Sequence, residues 1–187
     1  KKYLIQYAPG KKDTRFTIPS TVKTMGIASF MYSKNLKSVT LPKSIKRIEQ
    51  NNFAYCTNLE TIVIPKSVTV VSSESFYKCN KLKVVFYEGS KKQWAKVDKS
   101  TETNLLKATV AYNGAKSAVA LNTKSLSVKK GKTAQIKGSV YYKNGKVSKN
   151  VKYKTSNSKV ATVNGKGKVT GKKKSTCYVT VSAKSNN

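Results

Sequence analysis

The chain has 187 residues, of which 38 are Lys or Arg, seven are Asp or Glu and none is His, giving a formal net charge of +31 at neutral pH. Without histidine there is no Ser-His-Asp triad, no imidazole metal ligand and no switch of the imidazole kind near pH 7. No run of 18 apolar residues occurs, so no membrane-spanning helix is readable and membrane insertion is not expected.

Composition changes along the chain. All four prolines and all seven acids lie before residue 103, and seven of the ten glycines lie at or after Gly114. Twenty basic residues precede Gly114; eighteen follow it, with no acid among them. The Asn113-Gly114 pair is a turn signal, which divides the chain into residues 1–113, a linker at 114–117 and residues 118–187. The second part, at about 70 residues, is near the small end for an independent domain. The chain opens directly on "KKYLIQY", which reads as a strand with no signal peptide before it, as expected of a piece of a longer polypeptide. Three cysteines, an odd number, do not imply a full disulfide framework.

The first part repeats itself every 23 residues. Pro19, Pro42 and Pro65 are in register, as are Phe30/Phe53/Phe76 and Leu36/Leu59/Leu82. Apolar residues recur at Val22/Ile45/Val68, Met25/Ile48/Val71 and Val39/Ile62/Val85. The segment L-x-x-I-x-I alternates as a short strand does, and the following Pro, which cannot donate to a ladder, ends it. A 23-residue unit cannot enclose its own apolar side. Stacking such units buries the repeated side chains as continuous ladders, so the pattern predicts a solenoid.

These residues resemble the BspA-like (Treponema-type) leucine-rich repeats of bacterial surface proteins. The resemblance places an aromatic and then a Cys at Phe53 and Cys56 and again at Phe76 and Cys79, with Ser33 standing in the first repeat. It makes "YLIQYAPGKKDTRFTIP" an entry cap and "FYEGSKKQWAKV…LLKATVAYN" an exit cap, covering residues 3–113. In the exit cap Ser90 is placed to N-cap a short helix whose Trp94 and Val97 seal the last coil. Cys56 and Cys79 lie one repeat apart. Parallel stacking rarely offers disulfide geometry, so two buried thiols are favoured over a bridge.

From Ala118 onward, short alternating segments are separated by turn signals. "KTAQIKGSVYY" places Ala134, Ile136, Val140 and Tyr142 on one face of a strand. Asn144-Gly145 and Asn164-Gly165 carry the positive-φ chemistry of tight hairpins. The last strand turns Cys177, Val179, Val181 and Ala183 inward. The segments "LSVKKGKTAQI" and "VKYKTSNSKVATVNGKGKVTG" resemble the bacterial immunoglobulin-like group 2 family, with Tyr153 where that family often has Trp. The resemblance implies an extracellular module. The expected fold class is therefore mainly β in two domains. A short leucine-rich-repeat solenoid, with parallel strands and short helical turns, precedes an immunoglobulin-like β-sandwich.

Catalytic chemistry is not readable. The seven carboxylates are scattered, and the repeats do not place acids in register to bring two face to face as a glycosidase pair requires; the cysteines lack metal-ligand spacing. Ser127 to Lys130 fits S-x-x-K, but in a chain so rich in both residues the match carries little. "GKGKVTG" reads as a hairpin and not as a phosphate loop, because no helix follows it. No enzyme activity, metal or cofactor is expected.

Two features bear on binding. Aligned repeats place Arg15, Ser38, Thr61 and Val84 in one outward column of the solenoid sheet and Thr17, Thr40, Val63 and Phe86 in another. Phe86 is expected as an exposed aromatic at the sheet's end, and this face is the candidate for a host or cell-wall protein or glycan. The other feature is charge. The run Lys172, Lys173 and Lys174 is the candidate for nonspecific contact with anionic polymers such as teichoic acid, sulfated or sialylated glycan, or extracellular DNA. Against that stands lysine as a soluble surface and a guard on strand edges. The leading functional expectation is a secreted or surface-held interaction module. The alternatives are a structural stalk tethered to anionic envelope polymers and an accessory region of a larger secreted enzyme.

Overall fold

The computed structural model of the chain describes residues 2–99 and 103–184. The chain divides into two compact units, one of residues 1–118 and 142–145 and one of residues 119–141 and 146–187.

In the first unit the elements are β1 (Tyr3–Leu4), β2 (Arg15–Thr17), β3 (Thr24–Met25), β4 (Ser38–Thr40), β5 (Arg47–Ile48), β6 (Thr61–Ile64), β7 (Val70–Val71), β8 (Val84–Tyr87), α1 (Lys91–Ala95), α2 (Thr103–Lys107) and β9 (Thr109–Ala111). Strands β2, β4, β6, β8 and β9 pair in that order, all parallel, into the main sheet of a solenoid of about five turns. A second row runs along another side, where β1 pairs with β3 and β5 with β7, again parallel.

The third side is built of turns. The N–H groups of Ala28, Phe30 and Tyr32 donate to the carbonyls of Gln50, Asn52 and Ala54, and those of Phe53 and Tyr55 to Ser75 and Tyr77. Two residues in each coil take the left-handed conformation: Ala28 and Tyr32, Asn51 and Tyr55, Glu74 and Lys78. Such residues break any helix. The F-x-x-C segments are accordingly tight turns bonded from coil to coil, and the described helices of this unit lie only in the exit cap.

Phe30, Phe53 and Phe76 are fully buried and stack face to face, with centroids 5.1 and 5.3 Å apart. Tyr7 extends the column into the entry cap, 5.3 Å from Phe30, and its hydroxyl donates to Asp13 Oδ2 at 2.9 Å. Leu36, Leu59 and Leu82 form the neighbouring buried column. The cysteine column is free thiol: Cys56 Sγ donates to the Phe30 carbonyl and Cys79 Sγ to that of Phe53, each at 3.0 Å. A buried polar column, Ser29, Asn52 and Ser75, runs beside them. There the Asn52 amide donates to the Gly26 carbonyl and Ser29 Oγ, and its oxygen accepts from Glu49 N–H. At the exit, Ser90 and Gln93 form a reciprocal capping box on α1, which turns Trp94 inward, 4.8 Å from the Tyr87 ring.

The second part contains β10 (Ser117–Leu121), β11 (Thr133–Gln135), β12 (Gly138–Tyr142), β13 (Val147–Ser148), β14 (Val151–Thr155), β15 (Ala161–Val163), β16 (Lys168–Gly171) and β17 (Val179–Ala183). They group as β10-β12-β13, β11-β16-β15 and β14-β17, the described pairings within the latter two groups and between β12 and β13 being antiparallel. Ile136, Ala161 and Val169 make the core, with Tyr153, Cys177, Val179 and Val181 packed against it. The single strand expected over "KTAQIKGSVYY" is instead two, in different sheets, and the break falls at Ile136–Lys137. Gly138 starts the second strand because a Cβ there would stand 2.8 Å from Val181 Cγ1 and 3.2 Å from Leu121 Cδ2. Its N–H donates to Tyr153 Oη at 3.1 Å, which gives the tyrosine a task that indole could not perform. The second hairpin also differs from expectation. Gly145 is left-handed, but at Asn164-Gly165 the left-handed residue is Gly167, because Asn164 Oδ1 accepts from the N–H groups of Lys166 and Lys168 and moves the bend forward.

Candidate functional site

The strand register aligns the columns as the repeats do. Arg15 stands beside Ser38, Ser38 beside Thr61 and Thr61 beside Val84; Thr17, Thr40, Val63 and Phe86 align in the same way. Their exposure departs from expectation. Arg15 and Thr17 are exposed and Thr40 is half-buried, but Ser38, Thr61, Val63, Val84 and Phe86 are buried, with Phe86 only 2% exposed. Pairing within the sheet does not by itself cover an outward face; the turn at 142–145, part of the same unit, lies against this one, where a Cβ on Gly145 would stand 2.9 Å from Ser38 Cβ and 3.0 Å from Arg15 Nε, and Lys143 Nζ reaches Glu88 Oε1 at 2.7 Å. The outward face is therefore not an open binding surface along its length. What remains accessible is its first edge, around β2.

That edge runs into a shallow groove just past the carboxyl ends of β2 and β4. Thr17, Ile18, Pro19, Ser20, Lys23, Thr40, Pro42, Lys43 and Ser44 line it, around a volume of about 650 Å³. A smaller hollow of about 430 Å³, lined by Lys2, Ser20, Thr21 and Lys23, shares two of these residues. The prolines that end each strand form the apolar floor. The hydroxyls of Thr17, Ser20 and Thr40 and the ammonium groups of Lys23 and Lys43 supply the polar lining, and no carboxylate lines either hollow. Ser44 Oγ is engaged with the Val22 carbonyl at 2.5 Å and so holds the groove's wall. Chemically, the arrangement offers donors and positive charge to an oxygen-rich or anionic group. Lys23 and Lys43 are not among the sequence candidates, because nothing in a single repeat shows that they line one groove.

Lys172, Lys173 and Lys174 follow β16 in an exposed turn. The main-chain N–H groups of Lys172 and Lys173 both donate to the Val160 carbonyl, at 2.8 and 3.2 Å, which fixes the turn's backbone. Among the described residues no group of three or more His, Cys, Asp or Glu is placed to hold a metal ion. No helix of the described residues is long and apolar enough to cross a membrane.

A row of rings on the turn side of the solenoid was also missed. Tyr32 and Tyr55 stack at 4.7 Å, and Tyr77 meets Tyr55 edge-on at 5.4 Å. Tyr32 and Tyr77 are 45% and 43% exposed. The 23-residue interval from Tyr32 to Tyr55 was there to be read. The third ring comes one position early, which hid the row.

Residues 10–101 match the family model of the BspA type leucine rich repeat region (6 copies), and residues 115–187 match that of the bacterial Ig-like domain (group 2). Both are non-catalytic kinds of domain. Among solved structures, the chain is similar to a leucine rich cell surface protein from Faecalibacterium prausnitzii A2-165, at 24% identity and a TM-score of 0.30. The match covers 51% of this chain and 38% of that one. No curated protein matches.

Proposed function

We propose that this chain, a BspA-type leucine-rich repeat region followed by a group 2 bacterial Ig-like domain, is a non-catalytic interaction module of the bacterial surface or its secreted proteins. It binds a host or cell-wall macromolecule, a protein or a glycan, at the open edge of its repeat sheet. The observation that carries this reading is the groove beside β2 and β4, where Thr17, Ser20, Thr40, Lys23 and Lys43 converge without a carboxylate. A solenoid built on buried columns holds such a groove rigidly, so little ordering entropy is lost when a partner docks.

Binding to glycan and protein arrays tests it, with the variant Arg15→Ala/Lys23→Gln/Lys43→Gln beside the parent chain. A ligand retained by the parent and weakened at least tenfold in the variant supports the groove. Equal binding by both removes it.

A second reading has its own observation. The 18 basic residues after Asn113 have no acid among them in sequence, so the Ig-like part carries a field attractive to teichoic acid, sulfated or sialylated glycan and DNA. On that reading the chain is a stalk tethered to anionic polymers. Its signature is binding with a steep salt dependence that the groove variant leaves intact.

A further inference from the structure

Tyr32 and Tyr55 occupy left-handed backbone, at φ 62° and 59°, a conformation that a bulky side chain adopts at a cost and that glycine or asparagine adopts more easily. Their stacking on each other offsets part of that cost, but stacking asks only for rings and not for hydroxyls. In the next coil the equivalent left-handed residue is Lys78, yet the aromatic is not lost. Tyr77, one position earlier, swings into the row in its place. The row of rings is thus kept where the backbone repeat is not.

The geometry limits what the row can hold. Tyr32 and Tyr55 overlap at an interplanar angle of 20°, so they spend facing surfaces on each other. Tyr77 has the Lys78 ammonium 5.3 Å over its ring. Ring faces are thus partly used within the row, and the ring edges, which carry the positive end of the aromatic quadrupole, stand beside the phenolic hydroxyls. The same turns carry exposed Lys34, Lys78 and Lys81, the last donating to Asn58 Oδ1 at 2.7 Å, against the exposed carboxylate of Glu74. Single-stranded nucleic acid wants free ring faces for its bases, and an apolar helix wants an apolar groove. A strip of positive edges, hydroxyl donors and ammonium groups instead complements a chain of carboxylate and hydroxyl oxygens.

We propose that the Tyr32–Tyr55–Tyr77 row is a docking strip for an acidic polysaccharide, one bearing uronate carboxylates, laid along the solenoid from coil to coil. It lies on the turn side of the coil and does not depend on the groove beside β2.

The test uses the whole chain and fluorescently labelled hyaluronan oligosaccharides, with neutral dextran and single-stranded DNA as comparison probes, at 0.15 M salt, a concentration about equal to the physiological. Tyr32→Phe/Tyr55→Phe/Tyr77→Phe removes the hydroxyls while keeping the rings and the net charge. It is expected to weaken hyaluronan binding at least tenfold with an unchanged unfolding temperature. Lys34→Gln/Lys78→Gln/Lys81→Gln is expected to do the same, and it serves as the deciding variant if the phenylalanine form does not fold. Lys91→Gln/Lys92→Gln/Lys96→Gln, an equal loss of exposed charge in the exit cap, is expected to leave hyaluronan binding unchanged, and the phenylalanine variant is expected to keep whatever array ligand the groove variant loses, which keeps this strip's fate distinct from the groove's. Full binding by the phenylalanine variant would reduce the attraction to bulk charge and overturn the strip. So would dextran binding as well as hyaluronan, DNA binding more tightly than either, or no binding at all.

Discussion

Asn104 donates its side-chain N–H to the main-chain carbonyl of Phe76 at 3.0 Å, taking in the exit cap the part that Cys56 and Cys79 play toward Phe30 and Phe53. Three different coils thus present the same kind of acceptor to a donor from the next, and the cap closes the series with an amide where the repeats use thiols. Asn104→Ala should cost about 0.5–1.5 kcal/mol, the net worth of one such bond. Urea denaturation reads it, and a midpoint identical to the parent's would show the bond to be idle.

Phe53 is the middle ring of the column and is completely buried. Phe53→Ala should destabilise the repeat unit by about 3–5 kcal/mol, the sum of lost transfer energy and an unfilled cavity between two stacked neighbours. Phe16→Ala, on the half-buried edge ring, should cost clearly less. The two denaturation midpoints, compared side by side, decide whether the buried column or the half-buried ring of the edge strand carries more of the stability.

Burial raises the Cys56 thiol to about 12, against a smaller lowering from the Ser33 main chain. Tyr7 is likewise raised to about 12, by burial first and then by its bond to Asp13 and that carboxylate's charge. Unfolded, these groups ionise near about 8.5 and 10. The folded state therefore holds their protons more tightly, and the stability this contributes is complete below about pH 8.5. It is lost progressively as pH rises toward 12. Unfolding free energy of the repeat unit should fall over that window, and Cys56→Ala with Tyr7→Phe should flatten the fall. In the native state Cys56 should also resist alkylation at pH 8, where an exposed thiol reacts.

Gly167 has φ +81°, and a Cβ on it would lie 2.2 Å from the Ile136 carbonyl oxygen. Gly167→Ala should unfold the Ig-like part while the repeat part stays folded, because each has its own buried cluster. Limited proteolysis of the variant should then leave a resistant fragment ending near residue 113. Loss of both parts together would show that they do not fold independently.

Replacing Lys172, Lys173 and Lys174 by Gln should make the plot of log affinity against log salt shallower for a bound polyanion, by up to about 2–3 units if all three neutralise phosphates or sulfates. The fold should be untouched, since the turn's backbone is held by the Val160 carbonyl and not by these side chains. A slope equal to the parent's would assign the run to solvation alone.

The columns were legible because a repeat writes each buried contact several times. Phe30, Phe53 and Phe76 announce one another. Tyr7 stands the same 23 residues before Phe30, but Gly10 and Asp13 follow it where the later coils carry Ser or Cys and then Leu, which hides the column's first member. Strand alternation gave the side to which Thr61, Val84 and Phe86 point, but sidedness is a local property and exposure is not. What covers the face comes from far along the chain, where the turn at Gly145 lies against Ser38 and Arg15, and no single repeat announces it. The groove is harder still to read. Lys23 and Lys43 line one groove because Pro19 and Pro42 end neighbouring strands in register. The hairpin at Asn164 departs from expectation for a smaller reason: the Asn side chain bonds forward, and the dipeptide alone does not say which glycine bends.

The coil-to-coil bonds of the turn side, from Phe30 N–H to the Asn52 carbonyl and from Phe53 N–H to that of Ser75, make the solenoid's length a counted quantity. A duplication of one whole coil inside the repeat region presents the same donors and acceptors to its neighbours and lengthens the stack by about 4.8 Å, the spacing between paired strands. An insertion of a few residues gives no such match and must bulge out as a loop. Variants of this chain should therefore gain or lose reach in whole steps, with the entry and exit caps carried along unchanged.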